Sequence, residues 1–435
     1  MRPLRRITLA ALGAVSLAAC GQSALSGASG TQRSTTLSSG GVASTTDHLI
    51  TREQARVRSS PRDSAALDAL SAAYLQKVRE VGDPSYYAKV EVLLNTALTI
   101  NAGDAQALLL TGELELARHQ FARALDWGER AHAAAPHAAA PLGVTADALG
   151  ELGRYDEAVT TVQAMVDLRP DLSSYSRVSY LRELHGDVKG AVDAMQMAVD
   201  AGSAVPENVA YVEVLLGNLE FNSGDTGAAE RAYQHALFDD PNYVHALAGL
   251  GRVRAAQSRG EEAAALLQRA VDVYPLPQYV ITLGDIQAAL NRPDDARRSY
   301  DLAAAEQQLY QANGVDLDQE LALFDADHGR LGPDTVAAAQ RAMRDRPSVQ
   351  SADVLAWTLY VAGDLREALA ASHQAHRLGT QDALAFFHTG MIEAKLGMIE
   401  EAKSDLSHAL GLNSAFSILH ADEARSELAE LEAAG

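Results

Sequence analysis

Residues Val209–Pro241 read VAYVEVLLGNLEFNSGDTGAAERAYQHALFDDP, and Asn242–Pro275 continue as NYVHALAGLGRVRAAQSRGEEAAALLQRAVDVYP. The two lines superimpose without a gap. Leu216-Gly217 falls over Leu250-Gly251, Ala229 over Ala263, Ala236 over Ala270 and Pro241 over Pro275, each pair 34 residues apart. A fixed period of that length, holding two helical patterns per unit, predicts stacked helical hairpins rather than a single globular core. Each hairpin in such an array packs only on its neighbours, so 435 residues need not divide into conventional domains.

The frame extends in both directions, in units starting near 105, 139, 172, 210, 244, 277, 316, 349 and 383. The eighth position holds Gly112, Ala146, Ser179, Gly217, Gly251, Gly284, Leu323, Ala356 and Gly390. The twentieth and twenty-seventh are mostly alanine, with Thr335 and Met165 as exceptions. Small residues at these places let two antiparallel helices approach closely. Position 24 can carry a bulky filler, as at Tyr233, Leu267, Tyr300 and Leu406. Prolines such as Pro170, Pro241 and Pro275 close units because they cannot continue a helix. Gly153, Gly186, Gly224, Gly363 and Gly397 sit at the turn inside the unit, a helix C-cap choice.

This pattern resembles the tetratricopeptide repeat: Leu-Gly early in the unit, then Ala, an aromatic, Ala and Pro. The resemblance implies an all-α, right-handed α-α superhelix of about nine to ten hairpins. Its expected parts are an irregular helical pair over 49–104, regular units over 105–310, further units over 311–416 and a capping helix over 417–435. Gln308–Asp316 is an insertion, and Leu323 and Thr335 occupy positions that should be small, which predicts a local break or bend there.

The first residues concern address. Met1–Arg6 contains three arginines and precedes the apolar run Ile7–Ala19, too short to span a bilayer and readable as a secretory signal over 1–19. The run ends Leu17-Ala18-Ala19-Cys20-Gly21, which resembles the lipobox of bacterial lipoproteins. That resemblance implies lipidation of Cys20 with fatty chains such as palmitate, hence a membrane anchor facing outside the cytoplasm, in the cell envelope. A plain secretory signal, leaving Cys20 incidental, is the alternative. Cys20 is the sole cysteine, so no disulfide framework exists within the chain. Gln22 to about Asp47 is rich in Ser, Gly and Thr, and 20–48 reads as a lipidated cysteine followed by a flexible tether.

Net charge is −21, which argues against nucleic acid as a partner. Phosphate-loop, dinucleotide, zincin and nucleophile-elbow motifs are missing, so no enzyme, cofactor or metal role is expected. The densest histidine group, His373, His376 and His388, reads as exposed polar side chains.

By resemblance, positions 2, 5, 9 and 12 of each unit point into the concave groove. They give a candidate partner-binding set of Tyr180, Tyr211, Asn218, Phe221, Arg252, Asp285, Phe324, Trp357, Tyr360 and Phe387, with Glu183, His245, Glu320, Asp327 and Asp353 at equivalent places. Aromatic side chains supply large contact area at low entropy cost. Filling seams between units is the other role open to Trp357, Tyr360 and Phe387. No unit pairs Lys at position 5 with Asn at position 9, so the family's carboxylate clamp is not expected. The function these features imply is a membrane-anchored, non-catalytic scaffold binding a peptide or protein. The alternative is an accessory or catalytic factor in envelope glycan or peptidoglycan processing. A two-lobed solute-binding lipoprotein has no strand-like pattern to support it.

Overall fold

The computed structural model describes residues 45–203 and 205–434. The secretory signal, Cys20 and nearly all of the tether lie outside these residues. The described chain forms 22 α-helices and, among the described residues, no strand. A lone helix, α1 (Thr45–Ser59), is followed by hairpins α2/α3 (Ser64–Val81, Ser85–Ile100), α4/α5 (Ala105–Ala117, Phe121–Ala134) and α6/α7 (Ala140–Glu151, Tyr155–Leu168). Next come α8/α9 (Leu172–Leu184, Val188–Ala201), α10/α11 (Pro206–Asn222, Thr226–Asp239), α12/α13 (Val244–Ala256, Gly260–Val273) and α14/α15 (Pro277–Ala289, Pro293–Ala312). The last hairpins are α16/α17 (Asp318–Asp327, Thr335–Asp345), α18/α19 (Val349–Ala362, Leu365–Ala375) and α20/α21 (Ala383–Leu396, Ile399–Leu412), and α22 (Ala421–Ala434) ends the array.

The fold is an all-α superhelix, and its hairpins form for the reasons the period suggests. Ala124, Ala158, Ala191, Ala229, Ala263 and Ala402 are wholly buried where the two helices of a hairpin cross. In the α10/α11 hairpin, Tyr233 fills the seam against Gly217, where an added Cβ would stand 2.5 Å from the ring. Short polar caps start several helices: the Asp104 carboxylate accepts from the backbone N–H of Gln106 and Ala107, and Asp171 forms a capping box with Ser174.

Two boundaries and one helix count differ from the sequence reading. Helix α1 begins at Thr45, so the last residues assigned to the tether are helical, and the entry is three helices rather than a pair. The C-terminal helix begins at Ala421. Ser417 stops it from starting earlier, because its hydroxyl accepts from the backbone N–H of Leu419 and His420 and holds that segment in a turn.

Each hairpin packs its second helix on the first helix of the next, except at α15/α16, where the two backbones hardly meet. Side chains fill that gap. Phe324 and His328 of the following unit close on Tyr300, with ring centroids 5.9 and 5.0 Å away.

The inserted segment makes a contact that local pattern could not foretell. The Asp316 N–H donates to the Arg118 carbonyl (3.0 Å), the Asp316 carbonyl meets His119 Nδ1 (2.8 Å), and the Tyr310 hydroxyl donates to the Gly82 carbonyl (2.7 Å). These are the first of a regular series in which the second turn of the superhelix rests on the first. Tyr155 OH accepts from Val349 N (2.8 Å), Thr380 Oγ1 donates to the Leu184 carbonyl (2.5 Å), and Asn413 Nδ2 donates to the Phe221 carbonyl (2.7 Å). The turns inside α6/α7, α8/α9 and α10/α11 thus dock on the loops that close α16/α17, α18/α19 and α20/α21. At each docking point stands a glycine in the left-handed region, Gly153, Gly186 or Gly224. A Cβ there would lie 2.3–2.5 Å from the carbonyl oxygen of Pro347, Gly379 or Leu412. Glycine is required twice over, for its φ and for the close approach.

Candidate functional site

Closing one superhelical turn on the next converts the concave groove into a central cavity of about 800 Å³. First helices line it, from Leu75 on α2 through Glu113, Glu151, Tyr180, Tyr211 and Arg252 to Gln350 on α18 and Leu384 on α20. Its wall is amphipathic. One side carries Tyr211, Tyr274, Tyr279 and His245, where His245 Nδ1 meets the Tyr279 hydroxyl at 2.6 Å. Burial pushes the His245 imidazole down to about 4, so the ring is neutral at ordinary pH.

The charged side is acidic. Seven carboxylates, from Glu113, Glu151, Glu183, Glu207, Glu320, Asp382 and Asp422, line the cavity against three guanidinium groups, from Arg79, Arg252 and Arg425. Burial pushes the carboxyls of Glu113, Glu151 and Glu183 up to about 7, and repulsion from Asp147, Glu320 and Asp382 adds to it. Glu113 Oε1 is buried with no hydrogen-bond partner. The neighbouring acids are compensated: Arg177 makes a two-point pair with Asp147 (2.8 and 2.6 Å), and Arg346 a two-point pair with Glu320 (2.9 and 3.1 Å). Glu113, Glu151 and Glu183 thus face the cavity with none of the ion pairs that Asp147 and Glu320 make, which favours a positively charged guest.

Of the ten candidate partner-binding residues, five line this cavity: Tyr180, Tyr211, Asn218, Phe221 and Arg252. The Arg252 guanidinium lies 4.4 Å over the Phe221 ring, and Asn218 Oδ1 accepts from the Tyr233 hydroxyl at 2.8 Å. The other five are not brought to the cavity, and their placement as groove residues is corrected. Asp285 is fully buried, accepting from Tyr300 OH (2.9 Å) and facing His328 Nε2 (3.0 Å). Phe324 packs on Tyr300 and His328. Trp357, 4 % exposed, donates its indole N–H to Asp327 at 2.7 Å. Tyr360 stacks on Trp357 (4.9 Å), and Phe387 is packed between Trp357, Phe416 and His420. The physical reason is coverage. His328 covers Asp285, Tyr300 of the preceding hairpin closes on Phe324, α20 lies over Trp357, and the segment before α22 lies over Trp357 and Phe387.

The histidine group also divides. His376 meets Thr389 Oγ1 at 2.9 Å, whereas His388 has no exposed side-chain surface and faces Asp353. The expectation of exposed histidines fails for His388, because its helix is covered by the C-terminal cap. Sequence reasoning missed the lining carboxylates Glu113 and Glu151: Glu113 stands at position 9 of its unit, a groove position that the register itself gives, whereas Glu151, at position 13, carries no such signal. No helix of the described residues is long and apolar enough to cross a membrane.

Comparison with known proteins bears on two stretches directly. Residues 144–206 and 214–279 match the tetratricopeptide repeat family. Over these two stretches the chain carries tetratricopeptide repeats. Such repeats build protein-interaction scaffolds whose concave surface is the usual contact face. The chain is also similar to "Anaphase-promoting complex subunit 7" of Arabidopsis thaliana, 25 % identical over 150 residues, covering 34 % of this chain and 26 % of that protein. It is similar to "Cellulose synthase 1 operon protein C" of Komagataeibacter xylinus, 28 % identical over 214 residues, covering 48 % of this chain and 14 % of that protein. The chain therefore matches only a minor part of each relative's length. Among solved structures, the Cut9–Hcn1 complex aligns over 89 % of this chain and 96 % of that one, with 13 % identity and a TM-score of 0.36.

Proposed function

We propose that the protein is a non-catalytic scaffold that takes a short basic peptide segment of a partner into its central cavity, while Cys20 anchors it by lipid to the extracytoplasmic face of a bacterial envelope membrane. The observation that carries the binding part is the cavity itself: about 800 Å³, walled by tyrosines on one side and by the under-compensated carboxylates Glu113, Glu151 and Glu183 on the other. An extended segment bearing Lys or Arg supplies the missing cation and lays its apolar stem on the Tyr211–Tyr279 wall. The anchoring part rests on the lipobox-like run before Cys20 and on the Ser/Gly-rich stretch between it and α1.

The test is selection from a random peptide library on the lipid-free chain. Recovered sequences should be enriched in Lys and Arg. The paired change Glu113→Gln with Glu183→Gln should weaken them at least about tenfold. Recovery without charge preference, or binding indifferent to both changes, would discard the reading. Anchoring is tested by labelling with a palmitate analogue, which Cys20→Ala should abolish.

A second reading is favoured by one observation. Carboxyls held near 7 in a water-accessible cavity are also what general acid chemistry on a glycan needs, and one relative is named for a cellulose synthase operon. Release of reducing ends from peptidoglycan or β-glucan strands, lost in Glu151→Gln, would establish that activity instead.

A further inference from the structure

Below the cavity, where α16, α18, α20 and the C-terminal cap meet, lies a second polar cluster that the scaffold role does not use. One ligand atom each from Asp327, His388 and His420 lies within 4.8 Å of the other two. All three residues are buried: Asp327 is 6 % exposed, His388 0 % and His420 4 %. They come from the end of α16, the middle of α20 and the turn before α22, so no sequence spacing announces them.

Hydrogen bonding prepares both imidazoles in the same sense. His388 Nδ1 is 2.9 and 3.0 Å from the two Asp353 oxygens, and His420 Nδ1 is 2.9 Å from Glu423 Oε2. With Nδ1–H donated to a carboxylate, each Nε2 presents a lone pair. Both Nε2 atoms are buried and have no hydrogen-bond partner. A carboxylate fixing one ring nitrogen while the other faces inward is the arrangement of metal-ligating histidines. The third group is held as firmly, since Trp357 Nε1 donates to Asp327 Oδ1 at 2.7 Å.

Spacing and charge agree with a cation. His420 Nε2 stands 3.6 Å from Asp327 Oδ1, too far for a good hydrogen bond. Two ligands sharing a tetrahedral zinc ion at ~2.0–2.1 Å are separated by roughly 3.4 Å. The cluster gathers three carboxylates, from Asp327, Asp353 and Glu423, and their ion pairs are with the two histidines rather than with Lys or Arg. Three carboxylates gathered here without Lys or Arg are a concentration of negative charge that a divalent ion offsets. Trp357 and Phe387 wall the site, with Trp357 stacked 4.3 Å from His388 and Phe387 stacked 4.6 Å from His420.

We propose that Asp327, His388 and His420 bind a divalent transition-metal ion of the zinc class, with Asp353 and Glu423 orienting the imidazoles. Two nitrogens and one oxygen suit such an ion, and the fourth position falls to water. The ion joins α16 and α20 to the segment before α22, so it staples the C-terminal cap over the last units.

The experiment is a calorimetric titration of the chelator-treated full-length chain with Zn²⁺, followed by thermal unfolding. The expected result is one tight site per chain and a Tm raised by several degrees. Asp327→Asn and His420→Gln should each weaken binding at least about 100-fold, and Glu423→Gln by about 10–100-fold, with helical content retained. Should those variants misfold, Co²⁺ quenching of Trp357 fluorescence in a Trp127→Phe background reads the same site in the otherwise unaltered chain. No tight site and no quenching would overturn the proposal, leaving a hydrogen-bonded His–carboxylate network. Tight binding unchanged in all three variants would overturn it equally, by placing the ion elsewhere.

Discussion

Position 9 of the repeat behaves differently in the two halves of the molecule. In units 172, 210 and 244 it is Tyr180, Asn218 and Arg252, and all three line the central cavity. In units 277, 316 and 349 it is Asp285, Phe324 and Trp357, and all three are buried among neighbouring side chains. The same place in the same repeat thus binds solvent-facing space in one half and seals the array in the other. What differs is the spacing of adjacent first helices and what lies across them. At α15/α16 the backbones separate, and Tyr300, Phe324 and His328 fill the room. At the C-terminus, Phe416 and His420 fold over Phe387 and Trp357. A repeat register therefore fixes which way a side chain leaves its helix, and the neighbouring unit decides whether anything is left to meet there.

The largest way to break this contrast is to separate the two superhelical turns. Gly186→Val combined with Gly224→Val places a branched side chain in the left-handed region and against a carbonyl oxygen. Each substitution should cost at least about 3 kcal/mol, and urea unfolding together with an increased radius of gyration would record it. A soluble variant of unchanged dimensions would show that the docking points are dispensable.

Trp357→Ala should cost about 3–5 kcal/mol, because it removes a buried indole and strands the Asp327 carboxylate. Tyr211→Ala, on the cavity wall, should cost under about 1.5 kcal/mol and act on ligand binding instead. Equal losses from the two would erase the distinction between the halves.

The acidic wall gives a pH test of intermediate size. The Glu113 carboxyl stands at about 7 when folded against an ordinary 4.5, so the folded state holds more protons than the unfolded state between those values. Stability should then fall as pH rises through that window and level off above it. Glu113→Gln should raise stability by up to about 3 kcal/mol at pH 8 and by nothing below pH 4.5. An equal gain at both pH values would assign the effect to packing rather than to charge. The smallest effect is expected at the exposed pair Lys189–Asp193, where Lys189→Ala should shift stability by less than about 0.5 kcal/mol.

Much of this molecule is legible in the 34-residue period, because each hairpin is stabilised by contacts within itself and to the next unit. Ala229, Ala263 and Tyr233 announce their roles through local spacing alone. Closure of the superhelix is different in kind. It depends on a small rotation accumulated over several units, which no window of sequence contains. Gly153, Gly186 and Gly224 could be read as helix C-caps, yet the oxygens they admit belong to residues nearly two hundred positions away. The candidate site divides along the same line. Tyr211, Arg252 and, at the same position 9, Glu113 were recoverable from the register, whereas Glu151 was not, and the raised carboxyls of both glutamates come from desolvation in the closed cavity. Trp357 looked like a ligand-binding aromatic because its covering partner, His420, lies outside the repeats.

Closure is the claim on which the cavity, its acidic wall and the contrast at position 9 all depend. Small-angle scattering of residues 45–435 in solution tests it most directly. Two stacked superhelical turns should give a radius of gyration near that of a compact chain of this length, about 22 Å. Ten hairpins strung at ~10 Å intervals along an open spiral would exceed about 30 Å, and that value would contradict the closed cavity.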